Sequence, residues 1–195
     1  MSLRNSYNVA DYLEWNTMLN LVRRLFNDND YKMSLLISCG AFFGLRISDL
    51  LTLTWGQLLD SDTFTLIEKK TKKRRTIRIN IQLQKHILSC YNALNITDKQ
   101  EYCFLSRKRT IYSTQRINIL LKEIRNRYKL KIQHFSTHSL RKTFGRQVVE
   151  MAGSDAEFAL IKLSELFNHS NTMVTRRYLG FRNEELLQTY DLLNF

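Results

Sequence analysis

Six residues spread along this chain, Arg46, Lys70, His138, Arg141, His169 and Tyr178, carry between them the groups that phosphoryl transfer without a metal requires. Guanidinium and ammonium cations hold a phosphate, imidazoles donate or accept protons, and a phenol hydroxyl can attack phosphorus. Singly, each is an ordinary residue. Together they make DNA strand cleavage and rejoining the chemistry to test.

Their spacing adds to their types. Thr137-His138-Ser139-Leu140-Arg141 opens a helical pattern that Ser136 or Thr137 can cap, and a separation of three sets His138 and Arg141 on one helix face. A phosphate at that helix start is expected to meet free backbone N–H groups as well as Arg141. Taken alone, a capping segment with an incidental surface arginine explains this motif better. His169-Ser170-Asn171 marks a second helix start, and Tyr178 follows His169 by nine residues. A buried tyrosine with a satisfied hydroxyl is the commoner fate of such a residue, and there are nine tyrosines in all. As a nucleophile, a phenol with an ordinary pKa near ~10 needs surrounding cations or a base. Arg46 sits in Gly44-Leu45-Arg46-Ile47-Ser48-Asp49, directly after an apolar run. An arginine entering a core region must be paired or face a ligand, and Asp49, one turn on, is the expected orienting partner. A plain surface ion pair is the alternative.

The elements that must hold these groups follow from periodicity. Apolar residues recur at helical spacing over Tyr12–Phe26 and Tyr31–Phe43, with a break at Asn27-Asp28-Asn29-Asp30, and a short helix is expected from Ile47 to Leu53. The period then changes to two. Thr63–Leu66 and Thr76–Ile79 read as a β-hairpin whose basic tip, lacking an Asn-Gly or Gly-rich signature, is expected to be long and mobile. Further helices are expected near Ile81–Leu94, Ser113–Tyr128, His138–Met151, Asp155–Phe167 and Thr172–Tyr178, with a terminal one from Asn183 and a third short strand at Tyr102–Leu105. The fold class is therefore α+β, mainly α-helical with a small three-stranded antiparallel sheet. Proline is absent, so helices must stop at Gly, Asn, Asp and Ser signals.

Composition sets the bounds. A chain of 195 residues suits one domain, or one and a small appendage, and its 44% hydrophobic and 25% charged content excludes intrinsic disorder. Net charge is +12, and its distribution says more than its total. Residues 1–60 carry five Lys/Arg against six Asp/Glu, residues 61–148 carry twenty-one against five, and residues 149–195 carry four against seven. Solubilising charge spreads evenly, whereas a surface that follows a phosphate backbone concentrates it. Nucleic acid is favoured over an anionic membrane, since no long amphipathic helix sets these cations opposite a bulky apolar stripe. Cys39, Cys90 and Cys103 lie far apart with no C-x-x-C pair, so neither a disulfide framework nor a thiolate metal site is indicated. The N-terminus lacks a signal-peptide core and no apolar stretch is long enough to span a bilayer, which makes a soluble, cytoplasmic protein the expectation.

Gly44-Leu45-Arg46-Ile47-Ser48-Asp49-Leu50, then His138-Ser139-Leu140-Arg141, then Phe167-Asn168-His169-Ser170 with Tyr178 nine residues after His169, resemble the tyrosine recombinase (phage integrase) family in order and separation over 135 residues. The ordered combination carries the likeness, since Arg-x-x-acid and His-x-x-Arg are each frequent by chance. The resemblance implies that family's catalytic-domain fold. It also implies roles: Arg46 and Arg141 grip the scissile phosphate, His138 accepts a proton, His169 donates to a non-bridging oxygen, and Tyr178 is the nucleophile. Lys70, twenty-four residues after Arg46, best matches the family's hairpin lysine that protonates the leaving 5′-oxygen; Lys69, Lys72 and Lys73 are the competing choices. Asp49 stands where the family more often has Glu, and Asn168 where Gly commonly precedes the histidine.

Further implications concern partners and extent. Double-stranded DNA is the expected partner, contacted by Lys69, Lys72, Lys73, Arg74, Arg75, Arg107, Lys108 and Arg109. A homo-tetramer on synapsed DNA, a monomer when free, accessory DNA-bending proteins and no cofactor or metal complete the expectation. The chain reads as a single catalytic domain over 1–195, with residues 1–12 as the remnant of a linker and the family's N-terminal core-binding domain absent. The apolar residues Leu186, Leu187, Tyr190, Leu192, Leu193 and Phe195 are expected to dock on a neighbouring subunit, or to pack on their own domain. Two other functions stay open: a DNA-binding regulator with the same fold and no turnover, and, more distantly, a metal-free phosphatase or nuclease.

Overall fold

The computed structural model describes residues 11–181 together with Gln188 and Tyr190. The terminal helix expected from Asn183 and nearly all of the apolar C-terminal segment lie outside the described residues, as do residues 1–10. The chain divides into two compact units, Met1–Phe144 and Gly145–Phe195.

The first unit is built around one helix that is apolar on every side. Helix α2 (Tyr31–Phe43) buries Met33 to Ala41 continuously, as a central helix must. Helix α1 (Trp15–Asn27) offers it a narrow stripe, Met18, Leu21, Val22 and Leu25, at the i, i+3, i+4, i+7 spacing that puts four side chains on one face. Helix α5 (Ile81–Ala93) packs against α2 with Leu83, Ile87 and Cys90, again one turn apart. Between them run α3 (Ile47–Leu50), α4 (Trp55–Leu59) and the strands β1 (Thr63–Ile67) and β2 (Arg74–Arg78). Helix α6 (Thr114–Arg127) follows, buried through Ile117, Leu121 and Ile124. The first half of α7 (Thr137–Ala152) closes this unit, with Leu140 in the common core.

The second unit contains the rest of α7, a single 3₁₀ turn at Gly153–Asp155, and the mutually packed helices α8 (Ala156–Phe167) and α9 (Thr172–Leu179). Its buried residues include Leu160, Leu163, Phe167, Thr175 and Leu179. At Gly145 an added Cβ would lie 2.6 Å from Leu179 Cδ2, so the absence of a side chain there lets α7 and α9 approach closely.

Helix ends in the left-handed region follow the proline-free logic with one exception. Left-handed residues end α1 at Asn29, α2 at Gly44, α5 at Asn95, α8 at Asn168 and α9 at Gly180, because only Gly and Asn enter that region cheaply. The exception is Lys129, which takes φ 50° after α6 and lets Leu130 N–H reach back to the Arg125 carbonyl. At helix starts, Ser113, Asn80 and Asn171 accept from Arg116, Gln82 and Val174 amides.

Two expectations are corrected. The sheet of the described residues has two strands, paired antiparallel with Thr63 opposite Arg78 and Ile67 opposite Arg74. Tyr102–Leu105 is no third strand: it makes one isolated bridge to Thr54 and another from Leu105 to Ile111. Turns on both sides, at Asp98–Glu101 and Ser106–Arg109, leave this segment too short to propagate a ladder. The basic hairpin tip is indeed longer than two residues, but it is tied down rather than loose. Glu68 N–H donates to the Lys73 carbonyl, Lys72 N–H to the Glu68 carbonyl, and Lys69 N–H to Asp49 Oδ1 at 2.9 Å.

Candidate active site

In the first unit the expected phosphate-binding groups gather around the segment that leaves α2. Arg46 is the N-cap of α3, in extended backbone at φ −66°, ψ 146°, with its side chain one-fifth exposed. Its Nη1 donates to Glu68 Oε2 at 2.7 Å. Arg141, on the second turn of α7, is buried and donates from Nη1 to the Gly44 carbonyl at 2.7 Å. Arg75 donates from Nη2 to the Phe43 carbonyl at 2.8 Å, and its Nη1 lies 3.5 Å from Glu68 Oε1. Two consecutive carbonyls at the end of α2 therefore each hold a guanidinium.

Asp49 is nearly fully buried, and its Oδ1 accepts the Lys69 amide. It thus anchors the hairpin, and Arg46 is hydrogen bonded to the carboxylate of Glu68, a residue not singled out from the sequence. Glu68 is also buried, and its Oε2 takes a second bond from Thr71 Oγ1 at 2.6 Å. Burial pushes its carboxyl pKa up, but the Thr71 hydroxyl and the Arg46 and Arg75 guanidiniums outweigh that and hold it below the ordinary value. Its sequence signal was available: it is the only acidic residue from Thr63 to Arg78, among seven cations.

The hairpin cations separate into two sets. Lys69, Lys70, Lys72, Lys73 and Arg74 are exposed, whereas Arg75 points inward beside Ile77, on the buried face of β2. The five exposed cations face solvent, and Arg75 serves the interior. Arg107, Lys108 and Arg109 lie exposed on the turn between Ser106 and Thr110, where Arg109 takes φ 57° and pairs with Glu101. Arg107 and Lys108 line a groove that Arg116 and Tyr112 complete.

The start of α7 is more closed than expected. Thr137 N–H donates to Asn118 Oδ1, Ser139 N–H to the Ser136 carbonyl, and Ser139 Oγ accepts from Ser136 N–H. Side chains and backbone of the protein itself therefore take the donors at these three positions. His138 is exposed, and its pKa is lowered by desolvation and by the charges of Arg141 and Lys142. Because the ring reaches solvent, the two cations are the firmer cause. The shift favours the neutral imidazole, the form able to accept a proton.

The second unit holds the other two expected groups together. His169 follows α8 directly; its Nδ1 lies 2.9 Å from Thr175 Oγ1, whose side chain is fully buried one turn before Tyr178 on α9. The His169 and Tyr178 rings stand edge to face at 5.5 Å between centroids, and Phe167 contacts both at 5.5 and 5.7 Å. Tyr178 is partly exposed. Asn168 in the left-handed region turns the chain so that His169 N–H donates to the Ser164 carbonyl, which explains how asparagine serves where glycine is commoner. Thr175 was not foreseen; a hydroxyl two turns of sequence away from its partner leaves no local signal.

Elsewhere the three cysteines are buried free thiols, with burial pushing the Cys90 pKa up to about 12 and also raising those of Cys39 and Cys103. Among the described residues no group of three His, Cys, Asp or Glu is arranged to hold a metal, and no helix is long and apolar enough to cross a membrane.

The chain is similar to known proteins along most of its length. A model of the phage integrase family matches residues 14–185. The Bacillus subtilis (strain 168) protein YoeC, described as a probable integrase/recombinase, is 32% identical over 165 residues, covering 84% of this chain and 84% of that protein. The fold is similar to that of the XerA recombinase, with a TM-score of 0.69 and 17% identity over 100% of this chain and 68% of that one. It is also similar to the XerH site-specific recombinase bound to its palindromic difH substrate in a post-cleavage complex, with a TM-score of 0.64 and 17% identity over 96% of this chain and 55% of that one. At such identities the two structures speak for the fold, whereas the family match extends along most of the sequence, and the chain belongs to the phage integrase family of tyrosine recombinases.

Proposed function

We propose that this chain cleaves and rejoins double-stranded DNA at a specific site through a 3′-phosphotyrosyl intermediate, without metal or nucleotide. The observation that carries the proposal is the anchoring of Arg46 and Arg141, by Glu68 and by the Gly44 carbonyl two residues before Arg46. Guanidiniums fixed in advance can hold the charge that develops on a phosphate in the transition state, at no cost in reorganisation.

The roles follow chemically. The Tyr178 oxygen forms a bond to phosphorus as the bond to the 5′-oxygen breaks. Lys70 gives its proton to that leaving oxygen, and neutral His138 takes the phenol proton. Arg46, Arg141 and His169 bind the non-bridging oxygens. A 5′-hydroxyl from another duplex then reverses the step, so that strands are exchanged and no bond energy is lost. Exposed Lys69, Lys72, Lys73 and Arg74 follow the flanking backbone, and a tetramer forms on synapsed DNA. Family membership and the concentration of cations between residues 61 and 148 support this reading over that of a metal-free hydrolase.

The test is covalent capture. The chain is incubated with a pool of nicked duplexes carrying a randomised segment, denatured, and resolved for protein-linked DNA, which is amplified and reselected. Adducts that survive denaturation and vanish in Tyr178→Phe are the expected result. Binding enriched over rounds with no adduct makes the chain a regulator, and free cleaved ends make it a nuclease.

A further inference from the structure

Glu68 has properties that a solubilising or merely stabilising carboxylate lacks. It is almost completely buried, and burying a carboxylate is costly unless its oxygens are occupied. Both are engaged. Oε2 accepts from Arg46 Nη1 and Thr71 Oγ1, and Oε1 faces Arg75, which is itself fixed to the end of α2. Through its backbone, Glu68 also bonds Lys72 and Lys73.

The geometric consequence concerns Lys70. The residue before it is held through its amide by Asp49, the residue after it through its hydroxyl by Glu68, and Lys72 through its amide by the Glu68 carbonyl. One residue thus sets the direction of the Arg46 guanidinium and the conformation of the turn that presents Lys70. A guanidinium is planar and offers its donors in a fixed fork, so fixing Nη1 fixes where the other donors point.

We propose that Glu68 is a positioning residue for phosphoryl transfer, coupling Arg46 to the Lys70 turn so that the phosphate grip and the proton donor are set together. The inference rests on the recombinase reading above. It makes a prediction that plain stabilisation does not. Removing a negative charge beside a phosphate-binding arginine strengthens attraction for DNA, while loss of orientation slows the chemical step. Binding and rate therefore move in opposite directions.

The experiment uses the whole chain, in excess over a nicked duplex recovered from covalent capture, and compares wild type, Glu68→Gln and Glu68→Asp in single turnover. Glu68→Gln is expected to slow adduct formation by about 10²-fold, the scale of a misplaced catalytic group. The protein concentration at half-saturation should stay the same or fall, and Glu68→Asp should recover part of the rate. In an Arg46→Lys background, the further loss from Glu68→Gln should shrink to below about threefold, since the two act as one unit. Loss of rate and affinity together, in step with a lowered thermal midpoint, overturns the proposal, as do losses that multiply in the double variant. A wild type that forms no adduct refutes the recombinase reading instead. Glu68 is then judged by arginine NMR, where rotation of the Arg46 guanidinium should be restricted in the wild type and released in Glu68→Gln; unchanged rotation overturns the positioning role.

Discussion

Gly44 concentrates two requirements in one position, and replacing it by alanine separates them by comparison with two other glycines. It ends α2 at φ 56°, in the left-handed region, where any L side chain costs roughly 1–2 kcal/mol. A Cβ at that position would stand 2.3 Å from Phe144 Cδ1 and 2.7 Å from Cγ, a ring in place of a flexible tip, so overpacking adds roughly 1–3 kcal/mol. Gly44→Ala should therefore cost roughly 2–5 kcal/mol, which lowers the thermal midpoint by roughly 4–20 °C for a chain of this size. Gly153 has φ 51° with nothing within 4 Å of an added Cβ, so Gly153→Ala isolates the strain at roughly 1–2 kcal/mol. Gly40 lies inside α2 with Leu140 Cδ1 at 2.7 Å, so Gly40→Ala isolates crowding, offset by the roughly 1 kcal/mol that alanine gains in a helix. Thermal and urea unfolding followed by circular dichroism give the three values. A Gly44→Ala cost no greater than that of Gly153→Ala would refute the packing argument, because the Phe144 contact would then be contributing nothing.

Two more outcomes are expected. Asn168→Gly should be neutral or slightly stabilising and Asn168→Val destabilising by roughly 1–2 kcal/mol, measured by urea unfolding, since Asn168 sits at φ 53° and a β-branched side chain resists that region most. His138 should titrate below the free imidazole value of about 6.5. Its neutral form is the one the folded chain favours, so stability falls as pH drops below about 6.5 and stops falling once the folded pKa is passed. Adduct formation should show the same acid limb. Lys142→Met should raise the His138 midpoint in an NMR titration, and a wild-type midpoint above 6.5 refutes the assigned cause.

Much of the fold was legible because the strongest signals were periodic. Met18, Leu21, Val22 and Leu25 in α1, or Ile117, Leu121 and Ile124 in α6, announce a buried face through spacing alone. Helix α4 was missed, being five residues long, although its capping box, Thr54 with Gln57, was written in the chain. The third strand failed for a reason no local pattern shows, namely that the turns flanking Tyr102–Leu105 limit it to single bridges. Within the hairpin, alternation does predict which arginine turns inward: Arg75 and Ile77 share one face of β2 and Arg74, Thr76 and Arg78 the other. The total of cations concealed that alternation. Helical proximity points to Asp49 as a partner for Arg46 but gives no sign of the Glu68 carboxylate, which reaches it from 22 residues away across the hairpin. Long-range polar contacts of this kind depend on which buried atoms remain to be satisfied, and that is settled only once the core has packed.

The way α2 ends suggests how a folded chain can bury cations without cancelling them. A guanidinium taken out of water needs acceptors, and a carboxylate supplies them at the expense of the charge that a phosphate would use. Phe43 and Gly44 supply backbone carbonyls instead, at the helix terminus where the peptide dipoles leave partial negative charge. Arg75 and Arg141 are held there by dipoles, and of the three guanidiniums around this segment only Arg46 and Arg75 also meet the Glu68 carboxylate. The Gly44 carbonyl gives the Arg141 guanidinium a fixed direction. Helix α2 is buried continuously from Met33 to Ala41, so displacing the Gly44 carbonyl that holds Arg141 works against the core of the first unit. Under the proposed function, rigidity of this kind lets an arginine stabilise a transient charge and not simply follow it, so Gly44→Ala should slow adduct formation as well as lower stability.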